Sequence, residues 1–319
     1  MLVHDELAIS PLAQVPTWFG IGGGASRFVE VWTVGQLNTA VQIDPALRVL
    51  GDGANLLVDD DGVDELVVAM RGSLAEWTID AAKGIVRVGA GANLPKLINE
   101  TVRIGLAGLE TLGGIPASIG GALVMNAGGK FGEIEQYVLR VHALTRDGKE
   151  VTLERKDIAF GYRRSGLNEY ILTGCELQLL PDDPAAVRKR QKEVMAYKKT
   201  SQPMAEKSAG CTYKNPTLED DVPELFDANG RAGRRVPAGM LIDRAGLKGL
   251  RFGGAEVSDV HANFFVTHPG ATARDVIGLM NEVERRVMDR FGVQLTREVV
   301  VWSKNAAGKS ATGKSGGGR

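Results

Sequence analysis

Cysteine is nearly absent: Cys175 and Cys211 are the only two in 319 residues, too few for a disulfide framework. Histidine is scarce as well, with four in the chain. None has HxxxH-type spacing and no cysteine pair has ligand spacing, so no transition-metal site is expected. No run approaches the ~18 consecutive apolar residues of a membrane span. The N-terminal stretch lacks a basic segment followed by an apolar core, so no signal peptide is read. An excess of either charge is missing too. The 38 basic and 39 acidic residues leave a net charge of -1, which argues against nucleic acid as a partner. There is no Rossmann GxGxxG opening a helix after the first strand, and no internal repeat. These absences lead us to expect a soluble, cytoplasmic chain without membrane or nucleic-acid partners; separately from them, a monomer is expected.

What is present is globular in kind. Hydrophobic residues make up 44% and charged residues 24%, an ordinary balance for a folded chain. The length suits two domains. Val29–Trp32, Arg48–Gly51, Leu56–Val58 and Leu66–Ala69 read as strands, with a helix at Val34–Val41. Trp77–Asp80 and Ile85–Gly89 read as a hairpin turning at Lys83-Gly84. A helix follows Asn93, with Pro95 in its first turn. Strands are expected at 138–144, 150–153 and 170–179, then a charged helix to about Lys199. Composition changes after Gln202-Pro203, which places a boundary there. Residues 1–203 form one domain (parts 1–72 and 73–203), residues 204–303 a second, and the Gly/Ser/Lys-rich 304–319 a disordered tail. Val276, Met280, Val283, Val287 and Phe291 form one apolar helical stripe, started by Thr272-x-x-Asp275 and stopped by Gly292. A strand is expected at Gln294–Trp302. Strands and helices mix without a regular βαβ repeat, so the fold class is α+β.

Glycine, at 41 of 319 residues, is nearly twice its usual ~7%, and the excess is concentrated locally. Gly51-Asp52-Gly53-Ala54-Asn55-Leu56 follows a strand directly. A second set is Gly113-Gly114-Ile115-Pro116-Ala117-Ser118-Ile119-Gly120-Gly121. Small residues let backbone N–H groups approach an anion closely, as in phosphate-binding nests. Two such sets in one domain point to a nucleotide or dinucleotide, although each alone suits a tight turn.

These stretches, taken in order, resemble the UDP-N-acetylenolpyruvoylglucosamine reductase family. The likeness is carried by Ile21 to Ala25, Gly51 to Leu57, Gly113 to Gly121, Met125-Asn126-Ala127-Gly128 with Gly132-Glu133-Ile134, and Phe160-Gly161-Tyr162-Arg163-x-Ser165. It continues through Ser208-Ala209-Gly210-Cys211-x-Tyr213-Lys214-Asn215-Pro216, Ala238-Gly239-x-Leu241-Ile242, Gly246 to Gly249, Val257-Ser258-x-x-His261-Ala262-Asn263-Phe264 and Leu295-x-x-Glu298-Val299. It spans about residues 17–303.

The resemblance implies a two-part FAD-binding domain of the vanillyl-alcohol-oxidase type and a smaller α+β substrate domain. It implies FAD as cofactor and NADPH as co-substrate, reducing UDP-N-acetylglucosamine enolpyruvate to UDP-N-acetylmuramate in peptidoglycan precursor synthesis. On that basis Gly51, Asp52, Gly53, Ala54, Asn55, Leu56, Gly113, Gly114, Ile115, Pro116, Ser118, Ile119, Gly120, Gly121, Asn126, Ala127 and Gly128 hold the cofactor. Tyr213, Lys214, Asn215, His261 and Lys199 contact substrate. Hydride passes from flavin N5 to C3, Cys211 gives a proton to C2, and Arg163 with Glu298 stabilises the enolate. For Glu298 to stand beside an enolate it should be protonated, or act by orienting Arg163 or a water. Cys175, in a strand, reads as packing.

The chain also departs from the family pattern. Cys211 stands where the family usually has serine, and Asp52 places an acid in the first glycine loop. Only 48 positions separate Arg163 from Cys211, so the chain resembles the shorter subtype, which lacks a tyrosine-bearing loop. The alternatives are another FAD oxidoreductase of the same fold, or a nucleotide-binding homologue without activity.

Overall fold

The structure, a computed structural model, describes residues 7–304. The tail expected to be disordered lies, apart from Lys304, outside the described residues. The chain opens with β1 (Ser10–Gln14), β2 (Gly24–Val31), α1 (Val34–Ile43), β3 (Arg48–Leu50), β4 (Leu56–Val58) and β5 (Val63–Met70). Four of these strands form a sheet ordered β1-β2-β5-β3, in which β2 and β3 both run parallel to β5. Thr33 caps α1 by accepting from the Gln36 amide, and Leu37, Ala40 and Val41 are buried. β4 stays outside this sheet, which leaves its edge for a later partner.

β6 (Trp77–Asp80) and β7 (Ile85–Gly89) form the expected hairpin. Gly84 turns it at φ +66°, where a Cβ would strike the Leu179 carbonyl. The hairpin joins the strands Ile171–Gln178, Val138–Leu144 and Glu150–Glu154 in an antiparallel five-stranded sheet. α2 (Leu94–Arg103) has Asn93 as its N-cap and a proline in its first turn. With α3 (Ile119–Val124) and α4 (Pro184–Ser201) it contributes to one core shared with both sheets. Each fully buried aliphatic side chain there contributes on the order of 1.5–3 kcal/mol.

After α4 a second core gathers α5 (Ala238–Arg244), a small antiparallel sheet of Arg251–Phe252, Ala255–Val257 and Phe265–Thr267, and α6 (Ala273–Phe291). The apolar stripe of α6 is buried. Thr272 and Asp275 make a reciprocal capping box, and Gly292 ends the helix at φ +66°. The first two amides of α6 also donate to the Asp60 carboxylate at 2.9 and 3.0 Å, which ties this part to the β4–β5 turn. The expected strand Gln294–Trp302 is shortened to Val300–Trp302. Residues 296–299 instead bond to the segment 212–214. The closing strand then pairs parallel with the free edge of β4, from Val300↔Leu56 to Trp302↔Val58. Among the described residues no helix is long and apolar enough to cross a membrane.

Candidate active site

A cavity of about 1150 Å³ lies where the two cores meet, beyond the ~300–1,000 Å³ usual for small-ligand pockets. One wall is the turn after β3, Gly51 to Leu56. Facing it are Gly114 to Ser118 with Gly120 and Gly121 at the start of α3, then Ala127 and Gly128. The second part closes it with Ser208 to Cys211, Phe264, Glu298, Val300 and Trp302.

The two glycine sets oppose each other directly. A Cβ on Gly51 would come within 2.5 Å of Ser118 Oγ, and one on Gly120 within 3.1 Å of the Ala90 carbonyl. Gly53 holds φ +66°, a conformation L side chains avoid. A side chain at Gly51 would fill the gap between the sets, whereas one at Gly53 would strike the Pro16 carbonyl. Asp52 does not point its carboxylate at its own loop. It accepts from Asn93 Nδ2 at 2.8 Å, and burial raises its pKa while that hydrogen bond opposes the shift. Asn55 braces the far wall instead: its Nδ2 donates to the Glu298 carbonyl at 3.1 Å, and its own carbonyl accepts from Val300 at 3.0 Å.

Arg163, Glu298 and Cys211 all line this cavity. Arg163 sits in a tight Gly161–Arg164 turn at φ +52°, strained backbone of the kind found at functional sites. Its Nε donates to Glu298 Oε1 at 2.6 Å and its Nη2 to the Gly128 carbonyl at 2.8 Å. Its Nη1 is buried without a hydrogen-bond partner and lies 3.9 Å from the Glu133 carboxylate. Burial raises the pKa of Glu298, with Arg163 and Lys214 opposing. Burial also pushes the Cys211 thiol up to about 12, and the Glu298 charge adds to this. The segment carrying Cys211 is pinned on both sides. Thr212 N donates to the Asn263 carbonyl at 2.7 Å, and Glu298 N donates to the Thr212 carbonyl at 2.8 Å.

Lys214 and Asn215 face a smaller cavity of about 310 Å³ with Tyr162, Arg164, Arg235 and Thr296. Three cations around one small space suit an anion. Lys214 Nζ also donates to the Arg163 carbonyl at 3.4 Å, and Asn215 Oδ1 accepts from Ala238 N at the start of α5.

Six expected site residues do not line either cavity. Tyr213 is 1% exposed; its hydroxyl donates to the Met280 carbonyl and its ring meets Phe265 edge-on, so the phenol belongs to the core. Lys199 is exposed on α4, and its neighbour Lys198 lines the cavity instead. Burial pulls the Lys198 ammonium down to about 8, with nearby Cys211 opposing and Arg163 adding. His261 does not line either cavity; its Nδ1 accepts from Asn263 N and it packs on Phe264. Asn126 is buried away from the cavity, where its Nδ2 donates to Glu133 and to the Gly161 carbonyl, bracing the turn that carries Arg163. Ile119 is a core residue, and Gly113 packs toward Glu110 and Val194.

The sequence did not single out the other end of the cavity. There Arg48 on β3 pairs with Glu65 on β5, and its guanidinium lies 5.5 Å from the centre of the Trp302 ring. All three residues line the cavity. Among the described residues no group of three or more His, Cys, Asp or Glu is arranged to hold a metal ion.

Comparison with known proteins gives a consistent set. Residues 202–302 match the family described as UDP-N-acetylenolpyruvoylglucosamine reductase, C-terminal domain, and residues 27–154 match an FAD-binding domain family. A UDP-N-acetylenolpyruvoylglucosamine reductase of Desulfosudis oleivorans is 38% identical over 300 residues, covering 89% of this chain and 91% of that protein. A second, from Symbiobacterium thermophilum, is 38% identical over 291 residues and covers 89% and 88%. The crystal structure of the Thermus caldophilus reductase superposes with a TM-score of 0.76 at 39% identity, covering 93% of this chain and 99% of that one.

Proposed function

The chain belongs to the UDP-N-acetylenolpyruvoylglucosamine reductase family, and from that premise we propose that it reduces the enolpyruvyl double bond of UDP-N-acetylglucosamine enolpyruvate, with NADPH as reductant. It is an FAD-dependent oxidoreductase of α+β fold, with an FAD-binding domain of the vanillyl-alcohol-oxidase type. Residues up to 203 serve as the FAD-binding domain and 204–303 as the substrate domain. The enzyme works in the cytoplasm, as a monomer.

The residues present fit the cofactor. A Cβ on Gly51 would close the cradle between the two glycine sets, and Arg163 lines the same cavity. Gly51 to Leu56 and Gly114 to Gly121 would hold the diphosphate by backbone amides. When bound, FAD accepts electrons from NADPH and supplies the hydride that the side chains lack.

The observation that carries the reading is the convergence of Arg163, Glu298 and Cys211 on one cavity. Adding hydride at C3 of the vinyl ether leaves negative charge at C2, delocalised onto the carboxylate. Arg163 meets that charge with a planar fork already fixed by Glu298 and Gly128, so little reorganisation is needed. Glu298 orients Arg163 through the bond from Nε to Oε1. Cys211 gives its proton to C2. With its pKa near 12 the thiol is fully protonated at neutral pH, as a proton donor must be. Lys214 and Asn215, with Arg235, bind the sugar-nucleotide phosphates.

The test is NADPH oxidation with and without the enolpyruvyl sugar nucleotide. Substrate-dependent oxidation is expected, and a flavin that NADPH reduces but this substrate does not reoxidise overturns the reading. Cys211→Ala should lower turnover by about 10²- to 10⁴-fold, while Cys211→Ser retains substantial activity. Flavin reduction by NADPH should survive in both. Normal turnover by Cys211→Ala removes the thiol from the mechanism.

A further inference from the structure

We propose that Glu133 and Asn126 are positioning residues for Arg163 that fix the plane of its guanidinium before substrate arrives, a proposal that rests on the reaction assigned above.

The hairpin beside Arg163 supplies the first argument. Gly128–Gly129 and Gly132–Glu133 form a two-stranded antiparallel sheet in which Glu133 lies opposite Gly128. Both partners face the same guanidinium. The Gly128 carbonyl accepts from Nη2 at 2.8 Å, and Glu133 Oε1 stands 3.9 Å from Nη1. That distance is too long for a hydrogen bond, yet short enough for opposite charges in a part-buried place to attract. Glu298 holds Nε at 2.6 Å. Each of the three nitrogens therefore has its own neighbour, and two of the three neighbours come from one hairpin. A planar fork anchored at one edge can still turn; one anchored at three cannot.

Asn126 supplies the second. It is fully buried and stands at φ +43°, a left-handed conformation that asparagine adopts more readily than most side chains. Its Nδ2 donates to Glu133 Oε2 at 3.0 Å and to the Gly161 carbonyl at 3.1 Å, and its Oδ1 accepts from Glu135 N at 3.3 Å. Gly161 opens the turn in which Arg163 holds its φ of +52°. One amide thus joins the carboxylate that faces the guanidinium to the backbone that carries it. Neither Asn126 nor Glu133 lines either cavity, so both act through Arg163 and not on substrate. Donors fixed in advance are what a developing negative charge requires.

The experiment times the two half-reactions separately in the FAD-loaded, full-length enzyme. Reduction of the flavin by NADPH puts no charge at C2, whereas reoxidation by the enolpyruvyl sugar nucleotide does. Glu133→Gln should slow reoxidation about fivefold. Asn126→Asp keeps the shape and suits the left-handed backbone but loses both donated bonds, and should slow it by about tenfold or more. Reduction by NADPH should keep its wild-type rate in both. Glu133→Asp, which keeps the charge, should fall between wild type and Glu133→Gln. In an Arg163→Lys background, where Nη1 is gone, Glu133→Gln should add no further loss. A second readout needs no turnover. In protein carrying isotopically labelled arginine, the Arg163 side-chain N–H resonances, identified by their loss in Arg163→Lys, should be sharp in wild type and broadened in Glu133→Gln and Asn126→Asp. Wild-type reoxidation in both variants, equal slowing of the two half-reactions, losses that multiply in full with Arg163→Lys, or unchanged Arg163 resonances overturn the proposal. A wild-type flavin that the sugar nucleotide does not reoxidise, with the Arg163 resonances responding as expected, supports the positioning role and sinks the substrate reading alone.

Discussion

Two arginine–glutamate pairs line one cavity and are built differently. Arg163 and Glu298 come from opposite parts of the chain, 135 positions apart, and the arginine sits on strained backbone with a second tether to Gly128. Arg48 and Glu65 lie on neighbouring strands of one sheet, on relaxed backbone, beside an aromatic ring. A group that must meet charge only as it develops has to be fixed before the ligand arrives. The same two residue types are therefore held by strained backbone at one end and by a regular sheet at the other.

Substitutions can break this contrast. Arg163→Lys removes the planar fork, and kcat should fall by about 10²- to 10³-fold with FAD still bound, read by steady-state assay and flavin absorbance. Glu65→Gln removes the charge of the part-buried pair within one sheet and should instead cost about 2 kcal/mol of stability in urea unfolding. Lys198 sharpens the picture. Below about pH 8 it is charged and above that it is neutral, so an anion held by it is favoured at low pH and released as pH rises. KM should climb through about pH 8 in wild type. Lys198→Arg should keep KM low past that pH, and Lys198→Met should show a KM that is high throughout, by about tenfold or more. The smallest effect belongs to Tyr213→Phe. It removes one buried hydrogen bond and should cost about 1 kcal/mol of stability in urea unfolding, with kcat and KM unmoved.

Much of the fold was legible where local chemistry is strong. α6 showed its apolar stripe, its capping pair and its terminal glycine in sequence, and each does the expected work. The hairpin of β6 and β7 was equally plain. The misses have physical causes. α4 buries only Val187 and Val194, so its pattern does not fix which of two adjacent lysines turns inward. Around Tyr213, alternation between Thr212, Tyr213 and Lys214 depends on bridges to residues far along the chain, which no local pattern records. Asn126 lies within a familiar motif, yet it acts one step removed, through the Gly161 carbonyl. Arg48, Glu65 and Trp302 are dispersed singly and meet only when β3, β5 and the last strand assemble.

The bond from Asn55 to Glu298 spans 243 positions, and that separation has a temporal meaning. During synthesis the glycine turn is made early and must wait, with β4 unpaired, for almost the whole remaining polypeptide to emerge. Such distant closure is intrinsically slow, so the nascent chain carries an open strand edge through most of its translation. Loss of the segment from residue 298 to 302 would remove the keystone of a site whose other stones had long been in place.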